Sequence, residues 1–85
     1  LAGAPSSSPL LSRVAFTQLN AGRNKEAAAY AKRAVEADPS NSEAWIVLGA
    51  AQSSLGDRKA ARQSYKSCAE QGRGEYVIEC KRMLR

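Results

Sequence analysis

The chain has 85 residues, a length that suits one small domain and leaves no room for a second. Its net charge of +5 is modest, basic residues are interspersed with acidic ones, and aromatic stacking platforms are missing, so nucleic-acid binding is not favoured. Without histidine, neither Ser–His nor Cys–His catalysis can be assembled, and two cysteines make a poor zinc site. We expect a non-catalytic chain without metal or cofactor.

The first residues have the composition of a linker, because Pro5 and Pro9 bracket three serines. We expect residues 1–8 to be mobile. The chain begins with Leu1 and not with Met, which we interpret as the mark of a fragment of a larger protein. No run of about twenty apolar residues predicts a transmembrane helix, and the start does not resemble a signal peptide.

Apolar residues then recur at steps of three and four, a spacing typical of an amphipathic helix. The pattern predicts a first helix from Ser8 or Pro9 to Ala21. A second helix follows, capped by Asn24 and extending through Ala37. Its inward positions are alanines, whose small side chains allow two helices to approach closely.

A proline marks the next boundary. In Asp38-Pro39, the residue before proline is disfavoured in the helical region and proline has no N–H to donate, so the second helix ends there. Ser40 and Glu43 are three residues apart and form a plausible capping box for the third helix, roughly residues 42–55.

Glycine-containing turns delimit the last two helices. Gly56 ends the third helix, and Asp57 caps a fourth helix of about residues 58–70. The segment Gly72-Arg73-Gly74 breaks this helix. A fifth helix then extends from residue 75 or 76 to the end of the chain.

The chain also superposes on itself when it is shifted by 34 residues. Apolar residues meet apolar residues, and small residues meet small ones. The matching pairs are Leu11 with Trp45, Val14 with Leu48, Ala15 with Gly49, Gln18 with Gln52, Gly22 with Gly56, Ala27 with Ala61, and Ala34 with Cys68. Seven such matches predict an internal repeat of two helical hairpins.

Trp45, Leu48 and Gly49 form a W-x2-L-G pattern, and with the 34-residue period this pattern resembles the tetratricopeptide repeat (TPR) family. The resemblance implies an all-α fold, a right-handed superhelical stack of five helices in antiparallel hairpins. A generic five-helix bundle is the alternative, and the internal period argues against it. Leu11 in place of the usual tryptophan, Ala31 in place of an aromatic residue, and the lack of a proline after the second repeat depart from the family pattern.

The resemblance also divides the chain. The divisions are a linker of residues 1–8 and a TPR domain of residues 9–85, with repeat 1 at about 8–41, repeat 2 at about 42–74 and a capping helix at about 75–85. A terminal helix with a polar outer side keeps such a stack soluble.

In the TPR family, ligand peptides usually lie along a concave groove made by the first helix of each hairpin. Carried over by position, this groove consists of Ser12, Phe16, Leu19, Asn20, Glu43, Ile46, Ala50, Ser53 and Ser54. Members that clamp a terminal carboxylate place Lys, Arg and Asn here, so we expect no such clamp. The apolar strip around Phe16, Leu19 and Ile46 suits an apolar helix or extended segment of a partner. Alternatively, the linker or neighbouring repeats cover it.

Arg58, Arg62 and Lys66 lie at four-residue steps on one face of the fourth helix. This basic face suits an acidic protein partner or a phosphate backbone. The alternative is a solvated outer face, which is the commoner use of such a row.

The two cysteines lie on inward stripes, Cys68 on the fourth helix and Cys80 on the fifth. If the turn between these helices is about three residues shorter than the turn before the third helix, Cys80 takes the place of Gly49 and the sulfurs face one another. A disulfide would then contribute about 2–3 kcal/mol and imply an oxidising, extracytoplasmic compartment. Two buried free thiols, as in a cytoplasmic protein, are the alternative.

These observations favour a protein–protein interaction module, a TPR scaffold segment that binds a protein partner or self-associates through the apolar strip. Two alternatives remain open. One is a structural C-terminal end of a longer TPR solenoid with no ligand of its own. The other is an acidic-partner or nucleic-acid binder that uses the basic face.

Overall fold

A computed structural model describes residues 7–85 as five α-helices. The helices are α1 (Ser8–Asn20), α2 (Asn24–Ala37), α3 (Ser42–Ser54), α4 (Arg58–Gln71) and α5 (Tyr76–Met83). The predicted all-α fold of sequential antiparallel helices is confirmed. The part of the predicted linker before Ser7 lies outside the described residues, and Ser8 is already the first residue of α1.

The helices form two layers. α1, α3 and α5 contact one another in chain order and make up the first layer. α2 and α4 make up the second layer, and each packs against the helices before and after it. Across residues 7–85, α2 and α4 do not touch each other. The first helices of the hairpins are therefore neighbours in one layer.

Two glycines 34 residues apart mark the turns inside the hairpins, as the sequence predicted. Gly22 has a φ of 80° and Gly56 a φ of 87°, the left-handed region that favours glycine after a helix. The predicted cap of α4 is also confirmed, because a carboxylate oxygen of Asp57 accepts a hydrogen bond from the amide of Ala60 at 3.0 Å.

The starts of α2 and α3 differ from the predicted caps. Asn24 is the first helical residue of α2, and no side chain caps that helix. At α3 the N-cap is Asn41, whose Oδ1 accepts from the amide of Ala44 at 3.0 Å. The predicted capping box of Ser40 and Glu43 is therefore wrong.

Asp38 explains why Ser40 does not serve as the cap. The Ser40 hydroxyl donates to Oδ1 of Asp38 at 2.7 Å, and the Ser40 amide donates to the same oxygen at 3.0 Å. These two hydrogen bonds hold the pKa of Asp38 below its ordinary value. Ser40 is thus held in the turn, and α3 begins after it.

The core consists mainly of small side chains in two clusters. One cluster lies among α1, α2 and α3, and the other lies between α4 and α5. Trp45 and Ile46 on α3 pack against both clusters and join them. The alanines without solvent exposure are Ala15, Ala27, Ala31, Ala34, Ala44 and Ala51. Alanine at these positions allows the helices to approach closely.

The two hairpins fill equivalent space in different ways. In the second hairpin, a Cβ atom placed on Gly49 would lie 2.5 Å from Cε1 of Tyr65, so the tyrosine ring occupies the volume beside the glycine. At the equivalent positions of the first hairpin, Ala15 and Ala31 are both fully buried in one cluster. The first hairpin therefore has two alanines where the second has a glycine beside a tyrosine ring.

A disulfide between Cys68 and Cys80 joins α4 to α5, with a Cα–Cα distance of 6.0 Å. Both cysteines are fully buried. The bridge agrees with the sequence prediction, but the expected shortening of the preceding turn is wrong. The connections α2–α3 and α4–α5 both have four residues, 38–41 and 72–75.

We predict that Gly49→Ala destabilises the chain. Overpacking against the Tyr65 ring costs about 1–3 kcal/mol, which outweighs a gain of up to about 1 kcal/mol in helix propensity. In a Tyr65→Ala background the same substitution recreates the Ala–Ala pair of the first hairpin and should no longer destabilise. Urea unfolding of the four variants measures both effects, and an equal cost in both backgrounds would contradict the proposed complementarity.

Candidate partner-binding groove

A polar network joins α1 to the start of α3. Nδ2 of Asn41 donates to the hydroxyl of Ser8 at 2.9 Å and lies 3.3 Å from the hydroxyl of Ser12. The Ser12 hydroxyl lies 2.9 Å from Oε1 of Glu43 and donates to it. The Ser8 hydroxyl donates to the carbonyl of Ala34 at 2.7 Å. Within residues 7–85, every buried side-chain N or O atom has a hydrogen-bond partner, so this network needs no ligand to satisfy it.

Ser12 and Glu43 therefore stabilise the helices behind the groove and present little accessible surface in it. Ser12 is fully buried. The Glu43 side chain is 16% exposed, accepts from Ser12, and lies 4.0 Å from Nε of Arg13. The resemblance to the family placed both residues in the groove, but the network turns them toward the α1–α3 contact.

The open part of the predicted groove is apolar. We call Phe16, Leu19, Ile46 and Ala50 the groove strip. Phe16 is 40% exposed, whereas the other three are half-buried. Leu19 packs against the first core cluster and Ile46 against both, so their inner sides hold the fold while Phe16 projects from it.

The polar residues predicted for the groove lie at its far end. Asn20, Ser53 and Ser54 are exposed at the last residues of α1 and α3. At that end they border the groove strip with neutral hydrogen-bonding groups. Since the strip itself carries no charge, its chemistry favours an apolar contact with a polar rim.

In the part of the chain that the structure describes, no group of three or more Asp, Glu, His or Cys side chains is placed to hold a metal ion. Over the same residues, no helix combines the length and the apolar character that crossing a bilayer requires.

The basic face lies exposed on α4, as Arg58, Arg62 and Lys66 are all accessible to solvent. Two of these residues line a cleft that sequence reasoning missed. The cleft has a volume of about 300 Å³ and is lined by Ser53, Arg58, Ala61, Arg62, Tyr65 and Met83. The only signal in the sequence was the row of basic residues itself, because the fold alone brings Met83 of α5 beside α4.

Comparison with known families gives a match that covers most of the chain. The family model described as tetratricopeptide repeat matches residues 18–77. Comparison with curated proteins finds no match, and comparison with solved structures finds none either.

We predict that Asn41→Asp destabilises the chain although aspartate caps helices as well as asparagine does. The substitution keeps the acceptor for Ala44 but removes the donor to Ser8 and Ser12, and it places a carboxylate near Glu43. The loss should be about 1–3 kcal/mol. Asp57→Asn is the matched control, because the capping bond is the only hydrogen bond of the Asp57 side chain among residues 7–85. This substitution should change the stability by less than about 0.5 kcal/mol. Equal changes in urea unfolding would show that the network does not matter.

Proposed function

The chain belongs to the tetratricopeptide repeat family, whose domains generally mediate protein–protein interactions, and we propose that it binds a protein partner through the groove strip. The observation that carries this proposal is that the adjacent helices α1 and α3 carry uncharged, partly exposed side chains, of which Phe16 is 40% exposed. An exposed aromatic side chain beside half-buried aliphatic ones is suited to act as the anchor of an interface.

The chemistry of the strip favours an apolar helix or an extended segment with apolar side chains. Leu19, Ile46 and Ala50 form a shallow floor that a flat apolar face can cover. Asn20 and Ser53 at the rim offer hydrogen bonds to a partner backbone. The groove lacks the basic side chains that a terminal carboxylate requires, so we propose that a partner engages through internal apolar residues.

Members of this family are typically non-catalytic, and we propose the same for this chain. The groove strip contains no nucleophile, acid or base. Its neighbouring hydroxyls at Ser8 and Ser12 are buried and already hydrogen-bonded.

A structural role in a longer stack is the second candidate function. Leu10 is 56% exposed and Val14 is also exposed, although the equivalent residues of α3 are the fully buried Ala44 and the buried Leu48. In α3 these positions belong to the cluster shared with the first hairpin. The outer side of α1 would therefore accept another hairpin in the same way, and the chain would then serve as the end segment of a solenoid.

The test of groove binding uses peptides selected by phage display against the whole chain. We predict that Phe16→Glu weakens the selected peptides by tenfold or more, because losing an anchor side chain costs at least about 1.4 kcal/mol. Ile46 is not a suitable site for this test, since it packs against both core clusters and its substitution would disturb folding.

Ile78→Glu is the matched control for this experiment, because Ile78 is 60% exposed on α5 and lies outside the groove strip. Binding should be unchanged in that variant, and circular dichroism should show both variants folded. Peptides that bind Phe16→Glu and the native chain equally well would overturn the proposal and leave the structural role.

A further inference from the structure

The cleft lined by Arg58 and Arg62 lies where α4 meets α3 and α5. Its lining comes from Ser53 on α3, from Met83 on α5, and from Arg58, Ala61, Arg62 and Tyr65 on α4. Its volume is about 300 Å³. Three helices therefore contribute side chains to this one site.

Most of the net positive charge of the chain lies in two segments that contribute side chains to this cleft. The segments 57–62 and 79–85 are adjacent, because Nη1 of Arg62 donates to the carbonyl of Leu84 at 3.3 Å. Together they contain six of the thirteen basic residues and two of the eight acidic residues. Both acids are engaged, since Asp57 caps α4 and Glu79 accepts from Arg82 at 3.1 Å.

The charge of Arg58 is placed where it does not favour folding. The first turn of α4 contains Arg58 and no acidic residue, although the N-terminus of a helix prefers negative charge. Arg62 follows one turn later, where like charges repel. Among residues 7–85, neither arginine has a carboxylate within ion-pair distance. Their charge is thus available to a ligand.

The floor of the cleft adds an apolar component. Met83 is 52% exposed, whereas Tyr65 is only 8% exposed, so little of the tyrosine ring is accessible for stacking. A nucleic acid would need exposed aromatic faces for its bases. A cleft of this volume suits one or two side chains, at the low end of ligand sites.

We propose that this cleft is a second binding site, separate from the groove strip, for an acidic segment of a protein partner. An apolar side chain of that segment enters between Tyr65 and Met83. Carboxylates on either side of it meet the guanidinium groups of Arg58 and Arg62, for which paired hydrogen bonds to a carboxylate are the preferred geometry.

The probe is a fluorescein-labelled, amidated peptide of sequence Glu-Asp-Leu-Phe-Asp-Glu, titrated with the whole chain and followed by anisotropy. Saturable binding is expected, weakening as salt concentration rises. Arg58→Glu should reduce the affinity at least tenfold while leaving the chain slightly more stable, because the new charge suits the N-terminus of α4. Loss of binding in a fully folded variant would assign the arginine to the ligand.

Two control variants localise the effect. Lys32→Glu makes the same change of charge on an exposed position of α2 and should leave binding unchanged. Phe16→Glu should also leave it unchanged, which separates this site from the groove strip. The peptide Glu-Asp-Ser-Ser-Asp-Glu should bind at least tenfold more weakly, because it has no side chain for the apolar floor.

Three results would overturn the proposal. The first is an absence of saturable binding of the leucine–phenylalanine peptide to the native chain. The second is an equal loss of affinity in Arg58→Glu and Lys32→Glu, which would indicate attraction by net charge only. The third is tighter binding of an octathymidylate with the same dependence on Arg58, which would make the cleft a nucleic-acid site.

Discussion

Close approach of the helices is the constraint on which the rest of the structure depends. Seven alanines are nearly or completely buried along the helix contacts, from Ala15 in α1 to Ala61 in α4. A chain this small has little large apolar surface to bury, so its stability requires dense packing of small side chains. At Gly49 there is no room for any side chain, because the ring of Tyr65 occupies that volume.

The stack is cross-linked mainly at one end. The connections α2–α3 and α4–α5 lie side by side, and the amide of Arg73 donates to the carbonyl of Ser40 at 2.9 Å. The Ser42 hydroxyl donates to the carbonyl of Arg73 at 2.6 Å, much as the Ser8 hydroxyl bonds Ala34 in the first hairpin. With Asn41 and the disulfide, these contacts fix α1, α3 and α5 relative to one another.

The opposite end is less cross-linked and carries the cleft and the polar end of the groove. There, the cross-links between helices are the hydrogen bond from Ser64 to Gln52 and that from Arg62 to Leu84, within the part of the chain that is described. Asn20, Ser53 and the cleft beside Arg58 all lie at this end. The division is physically sensible, since a rigid end can position side chains whose exposed parts remain free to contact a partner.

Much of the fold could be predicted from the sequence because its signals are local. Periodic apolar residues, Gly22, Gly56 and Asp57 each act within one turn of their own position, and the helix bounds agree closely with those signals. The match of the sequence with itself at a shift of 34 residues predicted that these helices form two equivalent hairpins. The cysteine pair could be proposed because both residues lie on inward stripes.

The wrong predictions concern side chains that can form more than one hydrogen bond. Ser40 and Glu43 match the pattern of a capping box. In the structure, however, Ser40 donates to Asp38 and Glu43 accepts from Ser12. A sequence pattern does not rank these competing hydrogen bonds, because they depend on distances across the fold. The cleft could not be predicted for a related reason: it needs Ser53 of α3 and Met83 of α5 beside α4, and that placement depends on contacts across the fold.

The central claim is that the face shared by α1 and α3 binds the partner. Amide chemical-shift mapping of the labelled chain with a selected peptide tests it most directly. The largest shifts are predicted for Phe16, Leu19, Ile46 and Ala50, with the amides of α2 nearly unchanged. Shifts concentrated on α2 or on the outer side of α1 near Leu10, with none at the groove strip, would contradict the claim.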